Sequence, residues 1–231
     1  MTIKAIFFDA GNTLVFPTLE RTLAPLAARD IFPSQQQLHA SERFAKRKLD
    51  AARLAPGAGH GVDAQYWDEY YSHLLGQLKI SDEALQSALV ANSRVSANWS
   101  TVPPDTTEVL ASLAGRFRLA VISNSDGRIK DSLRAVGLAE YFETFTDSGN
   151  VGHEKPHPAI FTAGLRSLGV SAAESTYVGD IYSVDHVGAT NAGMDAILMD
   201  VCGAYRERDL ARIENLAELE QKISFRGQPA T

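Results

Sequence analysis

The sequence predicts an α/β protein, a parallel doubly wound Rossmann-like sheet interrupted by an α-helical insert. Two observations predict it. Short apolar runs closed by turn residues alternate with capped helical stretches at the start of the chain and again from about residue 105, the pattern of parallel βαβ units. Between them, residues 16–104 offer helical periodicity and no convincing strand, and so long an interval is not a structureless loop. The expected division is a core of residues 1–15 and 105–231 and a helical insert of residues 16–104.

Residues 3–8 form a compact apolar run ended by Asp9 and Gly11. With Lys4 inside it, the run reads as a buried first strand and not as a signal segment. Pro17 and the Pro103-Pro104 pair mark where the chain enters and leaves the insert. Within the insert, helices are expected at residues 19–29, 35–54, 64–77 and 82–98. Ser81 with Asp82 and Glu83 opens the last of these, where first-turn carboxylates suit the helix dipole. Residues 56–63, with Gly57, Gly59 and Gly61, read as an irregular loop. Beyond the insert, Asp105 with Glu108 has capping-box spacing, and Gly115 stops that helix. Strands are expected at 119–122, 144–146, 176–178 and 196–199, with helices at 126–136, 158–168 and 183–192 between and after them. Gly137, Gly169 and Gly193 stand at the ends of those helices.

A chain of 231 residues that is 45% hydrophobic and 22% charged can bury a core without disulfide or metal staples, and disorder is excluded. The net charge of −6, with no basic block, disfavours nucleic acid and anionic membrane surfaces as partners. No apolar run reaches the roughly 20 residues that span a bilayer. Cys202 is the single cysteine, so a disulfide within the chain is impossible and the cytoplasm is the expected compartment. It reads as a small buried residue near a strand end.

The polar residues at the strand ends carry the chemistry. Asp9 follows the first strand, Ser123 ends the second, Asp180 follows the fourth and Asp185 lies five residues further on. Ligands of parallel α/β sheets bind outside the carboxyl ends of the strands, so these side chains can converge on one edge. Lys155 lies between the third and fourth strands and can add a positive charge there. Carboxylates, a hydroxyl and a lysine suit a hard divalent cation together with a phosphate. Mg²⁺ takes one or two carboxylates, waters and phosphate oxygens. Each residue alone has a plainer reading, as a helix cap, a turn former or a solvated charge. The set in this order is what points to a site.

Four segments, FFDAGNTL (7–14), ISNS (122–125), EKPHPAIF (154–161) and VGDIYSVDHVGATNAG (178–193), resemble in order the four motifs of the haloacid dehalogenase-like hydrolases. The insert between the first and second motifs resembles the helical cap of that superfamily's first subfamily. The resemblance implies a hydrolase in which Asp9 is the nucleophile and forms a covalent aspartyl intermediate. Ser123 and Lys155 would hold the transferring phosphoryl group of a small phosphorylated substrate, with Asn124 beside it. Mg²⁺ would be held by Asp9, the backbone carbonyl of Gly11, Asp180 and, less firmly, Asp185. The cap would close over the substrate to exclude water.

One departure matters. Phosphatases of this family usually carry a second Asp two residues after the nucleophile, which serves as the proton shuttle. Here that position is Gly11, followed by Asn12 where glycine is usual. General acid–base catalysis is typically worth about 10²–10⁴-fold, so a substitute from the cap, a substrate with a good leaving group, or slow turnover is expected. His60, on the glycine-rich loop of the insert, is the candidate substitute and substrate-binding residue.

Rival readings are a carbon–halogen hydrolase, a phosphonatase-like enzyme using a cap lysine, and a catalytically impaired binding protein. Asp180 and Asp185 favour metal and phosphoryl chemistry over the first. Lys46, Lys48 and Lys79 read as solvated helix-face charges, against the second. An intact nucleophile position argues against the third. Residues 153–157, HEKPH, match the zinc pattern H-E-x-x-H only in letters, because Pro156 would sit inside the helix that pattern needs.

Overall fold

The computed structural model describes residues 2–55 and 63–226; the loop that carries His60 lies outside the described residues. Eight strands occur among the described residues. They are β1 (Ala5–Phe8), β2 (Phe16–Pro17), β3 (Trp99–Thr101), β4 (Arg118–Ser123), β5 (Thr144–Asp147), β6 (Ser175–Gly179), β7 (Asp195–Met199) and β8 (Arg212–Ile213). The chain divides into two units, Met1–Phe16 with Val102–Val201 and Glu207–Thr231, and Pro17–Thr101 with Cys202–Arg206.

The first unit is built on a six-stranded sheet in the order β5-β4-β1-β6-β7-β8, parallel throughout. This is the α/β, doubly wound arrangement the alternating pattern predicts. Strand β1 is buried along its whole length, as an apolar run covered on both faces must be. The chain winds outward from β1 to β4 and β5, then returns to β6 on the other side of β1. The order therefore reverses at β1, and the carboxyl ends of β4, β1 and β6 flank that switch point. Ala5, Phe7, Ala120, Ile122, Phe161, Tyr177 and Ala189 belong to one buried cluster on a face of the sheet, against the helix Pro158–Leu168.

Several expected elements differ in detail. Strand β8 is only two residues long, too short to show a period in the sequence. The helix expected from residue 126 begins at Ile129, because Asp126 and Gly127 form a turn in which Gly127 has φ +92°. The helix expected at 183–192 is a π-type turn, Tyr182–His186, running into a short α-helix, Val187–Asn191. Asp105 sits at the N-cap of the helix Thr106–Ala114 without a side-chain capping bond, so the capping box is absent there.

The second unit is helical, with long helices Gln35–Arg53, Asp63–Gln77 and Glu83–Ser93. Ser34 and Gln37 form a full capping box at the start of the first, and Asp82 caps the last by accepting from the Leu85 amide. The stretch 19–29, expected as one helix, is two single turns, Leu19–Thr22 and Ala24–Ala27, broken before Pro25. Strands β2 and β3 pair as a two-stranded sheet where no strand was expected. Buried Leu38, Leu49, Tyr66, Tyr71, Leu74, Leu85 and Leu89 make the core of this unit. Lys46, expected on a solvated helix face, is 1% exposed and ion-paired to Glu42 at 2.8 Å, whereas Lys48 and Lys79 are exposed. The segment Cys202–Arg206, which the sequence assigns to the core, belongs to this unit. Arg43 and Arg47 donate to the carbonyls of Cys202 and Ala204 at 2.8 and 3.4 Å. Cys202 is buried. No described helix is long and apolar enough to cross a membrane.

Candidate active site

Asp9 stands one residue beyond β1, and its amide donates to the Val178 carbonyl of β6 at 2.8 Å. The turn after it folds back tightly, with the amides of Leu14 and Val15 bonded to the Ala10 carbonyl. Asn12 occupies the left-handed region at φ +52°, which asparagine tolerates better than most residues; it can therefore replace the glycine usual there. Gly11 contributes backbone only.

Three carboxylates cluster beyond the carboxyl ends of the strands, and Lys155 bonds two of them. The Asp9, Asp180 and Asp185 carboxylates are all buried and offer oxygens that lie within 4.8 Å of one another. The Lys155 ammonium donates to Asp9 Oδ1 at 2.7 Å and to Asp185 Oδ1 at 2.7 Å. Its third donor bond goes to the hydroxyl of Tyr177, at 2.9 Å. Burial alone would lower the Lys155 pKa, but Asp185 and Asp9 more than reverse this, and the group stays charged well above its ordinary range. Asp9 is pushed up to about 6, first by burial and further by Asp185, with Lys155 opposing. Tyr177 is held well above the ordinary tyrosine range by burial and by the Asp185 and Asp9 charges, so the phenol is neutral.

Both oxygens of Asp185 are engaged by the protein. Oδ1 accepts from Lys155 and lies 3.1 Å from the Tyr177 hydroxyl, while Oδ2 accepts from the amides of Asp180 and Ile181 at 3.1 and 2.9 Å. Asp185, expected as a further metal ligand, belongs with Asp9 and Asp180 to the carboxylate group that could hold an ion, and it also anchors Lys155 and the turn that presents Asp180. Gly179 makes room for it: a Cβ there would lie 2.5 Å from Asp185 Cγ.

Ser123 is buried at the carboxyl end of β4. Asn124, expected to touch substrate, clamps the backbone of Lys155. Its Oδ1 accepts from the Lys155 amide at 2.7 Å and its Nδ2 donates to the Lys155 carbonyl at 3.3 Å. The buried Asp147 at the end of β5 accepts from the amides of Gly127, Gly149 and Ile129, fixing the loop after Ser123. Sequence reasoning missed Asp147 and Tyr177. An Asx cap was a legible signal for the first, whereas Tyr177 looks like any aromatic in a buried strand. The segment around Pro156 is not helical, and His153 and His157 stack with ring centroids 4.2 Å apart.

This arrangement can activate a carboxylate nucleophile beside a fixed cation, and its all-oxygen donors can hold a hard metal ion. The family model of the haloacid dehalogenase-like hydrolases matches residues 3–193. The chain belongs to that family. This haloacid dehalogenase-like hydrolase is 30% identical over 212 residues to a glyceraldehyde 3-phosphate phosphatase of Methanothermobacter thermautotrophicus, covering 90% of each chain. It is 28% identical to a phosphoglycolate phosphatase of Rhodospirillum rubrum, over 96% of this chain and 89% of that one. Among solved structures it resembles a 2-haloacid dehalogenase from Pseudomonas syringae at TM-score 0.59 and 26% identity, covering 98% of this chain and all of the other.

Proposed function

We propose that this hydrolase is a Mg²⁺-dependent phosphatase acting on a small phosphorylated substrate through an aspartyl-phosphate intermediate. One observation carries the reading: two buried carboxylates, Asp9 and Asp180, lie beside a fully bonded ammonium at the sheet's switch point. Two relatives that cover most of the chain are named as phosphatases. The site's donors fit Mg²⁺, because the carboxylates of Asp9, Asp180 and Asp185 offer hard oxygen donors within 4.8 Å of one another. Asp9, Asp180 and the Gly11 carbonyl are the groups that would hold it. When bound, the ion would neutralise charge on the transferring phosphoryl group.

In this reading the Asp9 carboxylate attacks phosphorus, and the bond from phosphorus to the leaving oxygen breaks. Lys155 keeps Asp9 oriented, and Ser123 donates to a phosphoryl oxygen. Water then attacks the phosphorus of the acyl phosphate, releasing phosphate and restoring Asp9. Because Gly11 offers no proton, the leaving oxygen departs as an anion or takes its proton from water. Acyl and aryl phosphates are therefore favoured over alkyl esters.

The test is a time course with acetyl phosphate and para-nitrophenyl phosphate, with Mg²⁺ and with chelator, beside Asp9→Asn. Steady Mg²⁺-dependent turnover that vanishes in the variant supports the reading, and a stoichiometric burst that stalls places the slow step at hydrolysis of the phosphoenzyme. Absence of both burst and turnover sinks it. The bare Gly11 position and the 26% identity to a dehalogenase favour a second reading, carbon–halogen hydrolysis. Chloride release from 2-chloropropionate in chelator would identify it.

A further inference from the structure

Tyr177 lies in β6, and its ring packs edge-on against Phe161, with centroids 5.4 Å apart. Its hydroxyl reaches past β1 to β4 and lies 3.1 Å from the Ile122 carbonyl, the residue before Ser123. The same oxygen lies 2.9 Å from Lys155 Nζ and 3.1 Å from Asp185 Oδ1. An ammonium has three donors, and those of Lys155 go to Asp9, Asp185 and Tyr177. With its lone pair receiving from Lys155, the hydroxyl gives its one proton to the Ile122 carbonyl or to Asp185. Side-chain positions around a charged buried group are set by such networks, and all of its members are buried.

We propose that the Tyr177 hydroxyl is a positioning group for this site: by taking the third N–H of Lys155 and bonding the strand just before Ser123, it aims the ammonium at Asp9 and fixes Ser123 relative to it. Tyr177 touches no substrate in this account; it acts through Lys155 and Ser123. Without the hydroxyl, the third N–H of Lys155 has no acceptor and the ammonium turns between alternative partners. The inference rests on the phosphatase reading for its kinetic consequence, though not for its geometric one.

Tyr177→Phe tests it, because the ring and its packing on Phe161 remain. Loss of a hydrogen bond to a charged group predicts that kcat on acetyl phosphate falls about ten- to hundredfold. KM is expected to stay within about threefold, since substrate contacts are intact. In parallel, ¹⁵N-lysine NMR follows hydrogen exchange of the Lys155 ammonium, assigned by Lys155→Met. A slowly exchanging signal in the wild type that exchanges at least tenfold faster in Tyr177→Phe supports the proposal. A variant with kcat within threefold of wild type overturns it, as does one whose KM rises while kcat holds. Should the wild type hydrolyse no phosphate compound, the phosphatase reading fails and exchange alone decides. Acceleration then upholds Tyr177 as the group holding Lys155, and an unchanged rate overturns it. Should Tyr177→Phe not fold, the wild type suffices. A protected Tyr177 hydroxyl proton with a nuclear Overhauser effect to the Lys155 ammonium supports the arrangement, and a rapidly exchanging one refutes it.

Discussion

Replacing Asp185 with alanine removes the acceptor to which the Lys155 ammonium and two backbone amides donate. The Lys155 ammonium keeps Asp9 but loses its other carboxylate, and the buried amides of Asp180 and Ile181 lose their partner. Breaking a buried ion pair by deleting one member costs about 3–5 kcal/mol, and an orphaned buried amide adds to that. We therefore expect Asp185→Ala to destabilise the sheet unit by about 4 kcal/mol. The assay must report on that unit. Both tryptophans, Trp67 and Trp99, lie in the helical unit, so tryptophan fluorescence would miss the change. Hydrogen exchange of peptides covering β1 and β4, in chelator, reads the opening free energy where it matters. The decisive comparison is a double-mutant cycle with Lys155→Met. If the loss comes from a stranded charge, the double variant is less destabilised than the two single losses added together, with a coupling of about 2–3 kcal/mol. An Asp185→Ala loss below about 1 kcal/mol, or strict additivity with Lys155→Met, would refute the anchor role.

Four further outcomes follow from the geometry. Gly179→Ala puts a Cβ 2.5 Å from Asp185 Cγ, and the bonds to Asp185 from Lys155 and two backbone amides keep it from yielding; about 1–3 kcal/mol is lost and turnover falls with it, as urea unfolding and kinetics on one preparation would check. Asp147→Ala leaves the amides of Gly127 and Ile129 without their acceptor, while that of Gly149 keeps the Ser125 carbonyl at 3.1 Å, for a loss of about 2–3 kcal/mol and faster exchange of residues 124–130. Ser34→Ala removes half of the capping box and costs the helical unit about 1 kcal/mol, which tryptophan-detected urea unfolding would show. Asp9 titrates at about 6 in the fold against an ordinary 3.8, so the native state binds an extra proton between these values and Asp9's contribution to stability is lost as pH rises through 6. In chelator, the stability of Asp9→Asn relative to wild type should therefore rise between pH 4 and pH 8, as urea unfolding at each pH would show.

What the sequence made legible follows from how local each signal is. Asp9, Ser123 and Asp180 are polar residues that end or follow short apolar runs, and a parallel sheet brings such ends together without further information. Tyr177 was not legible because its function depends on its tip, while its place inside an apolar strand explains its bulk equally well. Asn124 is adjacent to Ser123, but whether its amide faces ligand or backbone is decided by where the Lys155 segment passes, 31 residues away. Lys46 sits in a polar row of its helix, and only the packing of the helical unit shows that the ammonium is buried. Strands of two or three residues such as β2, β3 and β8 carry no period at all, so their pairing is purely tertiary.

The five residues Cys202–Arg206 change what counts as an exchangeable part of this protein. The helical unit is not a single contiguous insertion, because a second stretch of chain, more than a hundred residues downstream, belongs to it. The polypeptide therefore crosses between the units four times, at residues 16/17, 101/102, 201/202 and 206/207. A chimera that grafted residues 17–101 onto a related sheet would bring Arg43 and Arg47 without the Cys202 and Ala204 carbonyls that receive them. Any recombination that retunes specificity by trading the helices has to carry both segments, and a selection for such chimeras would recover them as a linked pair.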